Sequence, residues 1–319
     1  MERKWTGSRK FKYNSIMALQ NTFDLAKKEF KGGSINEGFL ARNGKIYEAY
    51  LTREQWNSYL AKMKSTHPDA FLQYKNGGGS ELKEDPKTGY PPKMASYGSS
   101  SRFVYELLNE ASVIFEQKLP TGVPHSISNM DAFSPRNNVF IEAKCREIYA
   151  APNPKYKIAF KQFYDMLATR TGFSYHPSQE KNDAAIHFCL NGEPIEQFDI
   201  KQFIAHTLGI AYACMNGVEI EDKKEMLNLD KGLTFIYLLY NPKELQTLLD
   251  QSIWKTIMGE YNREVSFIKE HKAFFKDLFH LSLEYLGCDA DLIGDLAKKY
   301  TFKLADQYTI WEESRLNNK

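Results

Sequence analysis

Apolar and polar positions along this chain follow several rhythms, and each predicts an element. Residues 14–31 place Ile16, Leu19, Phe23, Leu25, Ala26 and Phe30 roughly at helical spacing, and the glycines at 32 and 33 end the run. A hairpin-like piece follows at 38–50, then a second helix over 52–65 that Thr52 caps and Glu54 favours in its first turn. Residues 100–119 read as one amphipathic helix, and 125–133 and 137–145 as two strands, with a further short strand near 121–127. Asp199 caps and Gly217 ends a helix over 199–217. The run LTFIYLLY at 233–240 is continuously apolar, β-branched and aromatic, and is stopped by Asn241-Pro242, which predicts a strand buried on both faces. Residues 242–287 are mainly helical in pattern and 299–304 add an edge strand. The order is helix, strand, strand, insertion, helix, strand, and it implies an α/β fold in which helices cover a mixed sheet.

Composition changes this picture in a few places. Residues 74–100 hold Gly, Pro, Ser and charge with little to bury, which predicts a linker. An N-terminal, mostly helical accessory module with its linker, 1–95, is therefore set apart from a main domain, 96–319. That domain carries an insertion at 150–198 and a helical C-terminal extension. Lys plus Arg number 42 against 40 acidic residues, a formal +2, which neither demands nor excludes nucleic acid, because such binding needs a local basic groove and not a basic average. The first 31 residues are locally basic and suit a solvated face at least as well as a phosphate-binding arm. The four cysteines have no CxxC spacing and sit in apolar surroundings, as expected of free thiols in a reducing compartment. The N-terminus has no apolar leader and no run approaches 18 apolar residues, so a cytoplasmic protein without a membrane span is expected. No GxxxxGK[ST], GxGxxG after a strand, GxSxG or HExxH occurs, which leaves ATPase, dinucleotide-binding, serine-hydrolase and histidine-zinc readings without support.

The chemistry concentrates in VFIEAKC, 139–145. Alternate residues of a strand share a face, so Val139, Ile141, Ala143 and Cys145 present a core face. Phe140, Glu142 and Lys144 point the other way, putting a carboxylate and an ammonium side by side on a strand otherwise fit for burial. If the preceding hairpin centres on Arg136 and Asn137, Phe133 faces Phe140 and Asp131 faces Glu142, with Cβ atoms about 4.5–5.5 Å apart. Two carboxylates that close repel unless a cation lies between them, and Mg²⁺, which favours carboxylates and water, suits the position. A slip of one residue would carry Asp131 to the other face. Glu-x-Lys and Asp-x-Lys recur elsewhere, as at 29–31, 81–83, 199–201, 221–223 and 270–272, but there in helices or polar loops where a solvated surface is the plain reading.

Asp131, ten residues, then Glu142-Ala143-Lys144 resembles the PD-(D/E)xK motif of the restriction-endonuclease-like nuclease superfamily. The element order resembles that superfamily's αβββαβ core over roughly 140 residues, with Met130 in place of the motif's proline. The resemblance implies a metal-dependent endonuclease that hydrolyses phosphodiester bonds of DNA, of restriction, defence or repair type. Asp131, Glu142 and the carbonyl of Ala143 would bind Mg²⁺, with Mn²⁺ able to stand in, and Lys144 would orient or deprotonate the attacking water. It also implies an acid from the first helix. Glu106 and Glu110 share a face there, and Glu110, on the side of Phe103, Leu107 and Ile114, is the stronger candidate for the metal; Glu147 is a weak one. Gln202 and His206, one turn apart on the second helix, are candidates to approach the scissile phosphate, set against the plainer reading of a partly exposed polar face. DNA is the expected partner, and a homodimer would supply the two sites a double-strand cut needs. The alternative is a non-catalytic nucleic-acid- or partner-binding protein that keeps the nuclease fold.

Overall fold

The computed structural model describes residues 51, 53–77, 81–84, 91–96, 98–109, 112–145, 153–196, 198–246 and 251–310. The expected helix at 14–31, the hairpin at 38–50, the basic segment 1–31, Glu110 and Glu147 lie outside the described residues. The elements are α1 (Arg53–Thr66), α2 (Pro68–Asn76), α3 (Ser100–Leu108), β1 (Ile114–Pro120), β2 (Ile127–Ser134) and β3 (Val139–Lys144). Then come α4 (Lys161–Arg170), β4 (Phe173–Pro177), β5 (Ile186–Leu190), β6 (Glu193–Pro194), α5 (Ile200–Asn216), β7 (Val218–Ile220), β8 (Lys223–Glu225) and β9 (Leu233–Leu239). The chain continues through α6 (Gln251–Glu270), α7 (Lys272–Tyr285), α8 (Ala290–Lys299) and β10 (Tyr300–Asp306).

The main sheet runs β1-β2-β3-β9-β10. β1, β2 and β3 form an antiparallel meander, and β9 lies parallel to both β3 and β10. The protein is therefore a mixed α/β fold built on a mixed sheet. The continuously apolar Leu233–Leu239 takes a central place between two neighbours, where both of its faces are covered. One face of the sheet packs Ile141, Ala143, Ile236 and Leu238 against Trp56, Met63, Tyr74, Phe103 and Leu107 from α1–α3. The other packs Phe133, Phe140, Phe235 and Tyr237 against Phe203 and Ile204 of α5 and Phe275 and Phe279 of α7. Within 153–196, β4, β5 and β6 make a small separate antiparallel sheet. Among the described residues no helix is long and apolar enough to cross a membrane.

The single helix expected over 100–119 is corrected. Ser99 caps α3, its side chain accepting from the Arg102 N–H, but the helix ends at Leu108 and the chain resumes as β1. Over 114–120 burial alternates with a period of two, Phe115, Gln117 and Leu119 inward and Lys118 and Pro120 outward. Leu107, Ile114 and Phe115 happen also to satisfy helical spacing, and no Gly or Pro marks the break at Asn109. The short strand thus lies at 114–120 and not near 121–127, and Ile114 no longer shares a helix face with Phe103 and Leu107. The stretch 74–100 is described only in part; within it Tyr74, Glu81, Met94, Ala95 and Ser96 are buried.

The ends of α5 follow the sequence. The Asp199 carboxylate accepts from the Gln202 N–H at 3.0 Å, and Gly217, at φ +78°, takes a left-handed conformation that closes the helix. The β2–β3 hairpin pairs Ser134 with Val139, Phe133 with Phe140 and Ala132 with Ile141, and the two phenylalanine rings stack at 4.5 Å. Asn138 holds its base: it sits at φ +51°, and its amide donates to the carbonyls of Asn228 at 2.6 Å and Gly232 at 3.0 Å. The hairpin is thereby tied to the start of β9.

Candidate functional site

The site grows from a break in strand pairing. The β2–β3 ladder ends at Ala132 and Ile141, one position short of Asp131 and Glu142. On the other side of β2 the pairs pass from Phe115–Ala132 to Gln117–Met130, skipping Glu116 and Asp131, and Glu116 has φ +55°. Met130 and Phe133, three residues apart, both join the α5-side core, so alternation fails between them. Kinks of this kind re-aim side chains. Asp131 accordingly does not stand in the ladder: its Oδ2 accepts the Ala143 N–H at 2.8 Å, taking over a bond that a backbone carbonyl would otherwise supply.

Glu142 and Lys144 lie where the alternation of β3 puts them, on the α5 face, only 2% and 5% exposed. Lys144 Nζ donates to Glu142 Oε1 at 2.7 Å and to Gln202 Oε1 at 2.5 Å, and Gln202 Nε2 donates to the same Glu142 Oε1 at 2.8 Å. The other oxygen, Oε2, faces His206 Nε2 at 3.1 Å, and His206 Nδ1 lies 2.5 Å from Ser128 Oγ. Gln202 and His206 are one turn apart on α5 and thus reach the same carboxylate. His206 is buried, not partly exposed as a polar helix face would be.

Charge follows from these contacts. Burial alone would raise the Glu142 pKa, but the facing His206 ring and the Lys144 ammonium outweigh it and bring the carboxyl down to about 2. Asp131 goes the opposite way: burial, then the Glu142 charge, push it well above the ordinary carboxylate value, with Lys144 and the Ala143 N–H pulling back. Two neighbouring acids are thus driven apart, one firmly ionised and one resisting ionisation.

Comparison with known proteins returns no match. No family model, no curated protein and no solved structure is matched by this chain.

Asp131 keeps acceptor capacity of the kind a hard cation takes up: among the described residues it makes a single hydrogen bond, and burial, then the Glu142 charge, disfavour its ionisation. No group of three or more His, Cys, Asp or Glu side chains among the described residues is arranged to hold a metal. Asp131, Glu142 and a backbone carbonyl would therefore need water to complete a coordination shell, and Mg²⁺ commonly retains several waters. Glu106 is not brought into this set; its charge acts on Tyr59 and Tyr105, on the α1 side of the sheet.

Reading the sequence missed Glu116 and Ser128. Glu116 was hidden by the helix expected across it, although the alternation of 114–120 marks it. It stands at the position opposite Asp131, and burial, then the charge of Glu81, raise its pKa to about 7. The native state thus binds this proton more tightly than the unfolded chain, so the carboxylate costs stability as pH rises from about 4.5 to about 7, and the cost persists above. In metal-free buffer Glu116→Gln should stabilise the fold by on the order of 1–3 kcal/mol at about pH 8 and hardly at about pH 4. Urea melts at the two pH values check this; an equal effect at both would refute the assignment.

Proposed function

We propose that this protein is a metal-dependent endonuclease of the PD-(D/E)xK, restriction-endonuclease-like type, hydrolysing phosphodiester bonds of DNA. The observation that carries the reading is the buried Glu142–Lys144 pair on one face of a central strand, with Asp131 of the adjacent strand bonded to the intervening Ala143. Buried charges of this kind are costly and need a partner or a task. The order α3-β1-β2-β3-α5-β9, with β9 parallel to β3, supports an αβββαβ core.

Asp131, Glu142 and the Ala143 carbonyl would hold Mg²⁺ or Mn²⁺, which when bound lowers the pKa of a water and neutralises charge on phosphate. The protein's own part is placement. Gln202 and Glu142 fix the Lys144 ammonium at a single point, where it orients the attacking water and stabilises developing negative charge. A strand holds such a set more rigidly than a loop would. The Asp131 side chain ties β2 to β3 beside it, so the two acids keep their separation without a continuous ladder.

The test is cleavage of plasmid, linear and single-stranded DNA with Mg²⁺ or Mn²⁺, and with EDTA as control, by the wild type and Asp131→Ala. Metal-dependent cutting, slowed by at least about 10²-fold in the variant, is expected. A folded wild type that binds DNA and cuts none of these substrates would instead favour a binding protein.

A further inference from the structure

We propose that His206 and Ser128 are positioning residues that hold Glu142 Oε2 and so fix the direction its carboxylate faces. The consequence for cleavage rests on the nuclease reading above; the geometry does not.

Glu142 is met at both oxygens from α5: Gln202 donates to Oε1, and His206 Nε2 lies 3.1 Å from Oε2, two buried atoms that face each other without another hydrogen-bond partner among the described residues. The bonds from Lys144 and Gln202 both go to Oε1, so among the described residues His206 Nε2 is the polar group in view that stands within reach of the buried Oε2. His206 is itself held. Its Nδ1 lies 2.5 Å from Ser128 Oγ on β2, and its ring packs edge-on to Phe235 at 6.2 Å. The close approach of α5 to the sheet makes this contact possible. One turn on, a Cβ at Gly209 would come within 3.0 Å of Leu119 Cβ and 3.1 Å of Ser128 Cβ, so glycine lets the helix sit lower than any other residue would.

A serine, a histidine and an acid in a row invite comparison with a nucleophilic triad. The orientation of the ring opposes it: in such triads Nδ1 faces the acid, whereas here Nδ1 faces the serine. The direction has a purpose of its own. When the Ser128 hydroxyl donates to Nδ1, the proton of the neutral ring resides on Nε2, where it donates to Glu142; an imidazolium likewise carries a proton there. An ionised carboxylate only accepts, so Glu142 calls for a proton on Nε2, and the Ser128 hydroxyl, able to donate or accept, complements that form by donating to the bare Nδ1. Outer partners of metal-binding side chains act in this way and typically cost about 10–100-fold when removed.

The first arm of the test needs neither metal nor activity. Long-range ¹H–¹⁵N spectra of the metal-free protein, with the His206 signals assigned by their loss in His206→Gln, should show a proton on Nε2. A ring with Nε2 bare would overturn the proposal whatever the enzyme does. The second arm is kinetic, on supercoiled plasmid with Mg²⁺. His206→Phe keeps a ring against Phe235 but loses the donor, and should lower kcat by about 10–100-fold with KM for DNA within about threefold. His206→Gln, which returns an N–H donor on the same helix position, should recover most of that loss, and Ser128→Ala should show a smaller fall of the same kind. If folded His206→Phe cuts at the wild-type rate, or if the glutamine gives no more activity than the phenylalanine, the positioning role is overturned. A protonated Nε2 in a wild type that cuts nothing would sink the nuclease reading and leave the hold on Glu142 standing.

Discussion

Lys144→Met is expected to slow DNA cleavage by about 10²–10³-fold, the range found when a fixed donor to developing charge is removed. Methionine keeps an unbranched stem in the buried site and removes only the ammonium, so lost charge and not lost volume is what the rate reports. Glu142, Asp131 and Gln202 all remain. Because Lys144 is placed against the carboxylate and the amide, and is assigned to the attacking water, the loss should fall on kcat, with KM for DNA little changed. Single-turnover cleavage with Mg²⁺ measures it. Activity within tenfold of wild type in a folded Lys144→Met protein would remove the lysine from the chemistry and with it the central claim of the nuclease reading.

The second large effect is on stability. The same Lys144→Met change strips a partner from a carboxylate that is 2% exposed, and breaking a buried pair from one side typically costs about 3–5 kcal/mol. Gln202 still donates to Glu142 and His206 stays 3.1 Å from it, so a loss near the lower end, about 3 kcal/mol, is expected. Glu142→Gln with Lys144→Met should recover most of it, since a buried ion pair contributes little beyond what an uncharged, well-packed pair contributes. Urea unfolding of both single variants and the double, at neutral pH in EDTA, closes the cycle. Additive losses would mean that the two side chains do not act as a pair. The two predictions together separate roles: the double variant should regain its fold and remain inactive.

Parts of this arrangement were legible in single residues of the sequence. The ends of α5 were, because a cap and a left-handed closing glycine are local chemistry that Asp199 and Gly217 carry by themselves. The central place of Leu233–Leu239 was legible too, since only a strand covered on both faces tolerates so unbroken an apolar run. The hairpin register followed from the turn residues as far as Ala132 and Ile141. The boundary between α3 and β1 was not legible, because Leu107, Ile114 and Phe115 satisfy two periodicities at once and the choice between them was made by pairing with β2, a strand later in the chain.

The sequence by itself determined which side chains of β3 share a face, since alternation is a property of any extended backbone, and so it put Glu142 beside Lys144 with no knowledge of the fold. It also determined that Gln202 and His206 rise from one side of a helix. Only the tertiary structure decided what these groups meet. Asp131 leaves the ladder for the Ala143 N–H where the pairing of β2 with both of its neighbours lapses, a non-local event. His206 becomes buried and bound to Ser128, 78 residues away, because a helix lies close on the sheet at Gly209. Periodicity sets the direction of a side chain along its own element, whereas its partners depend on how elements separated in the chain come to pack, and no local pattern records that distance.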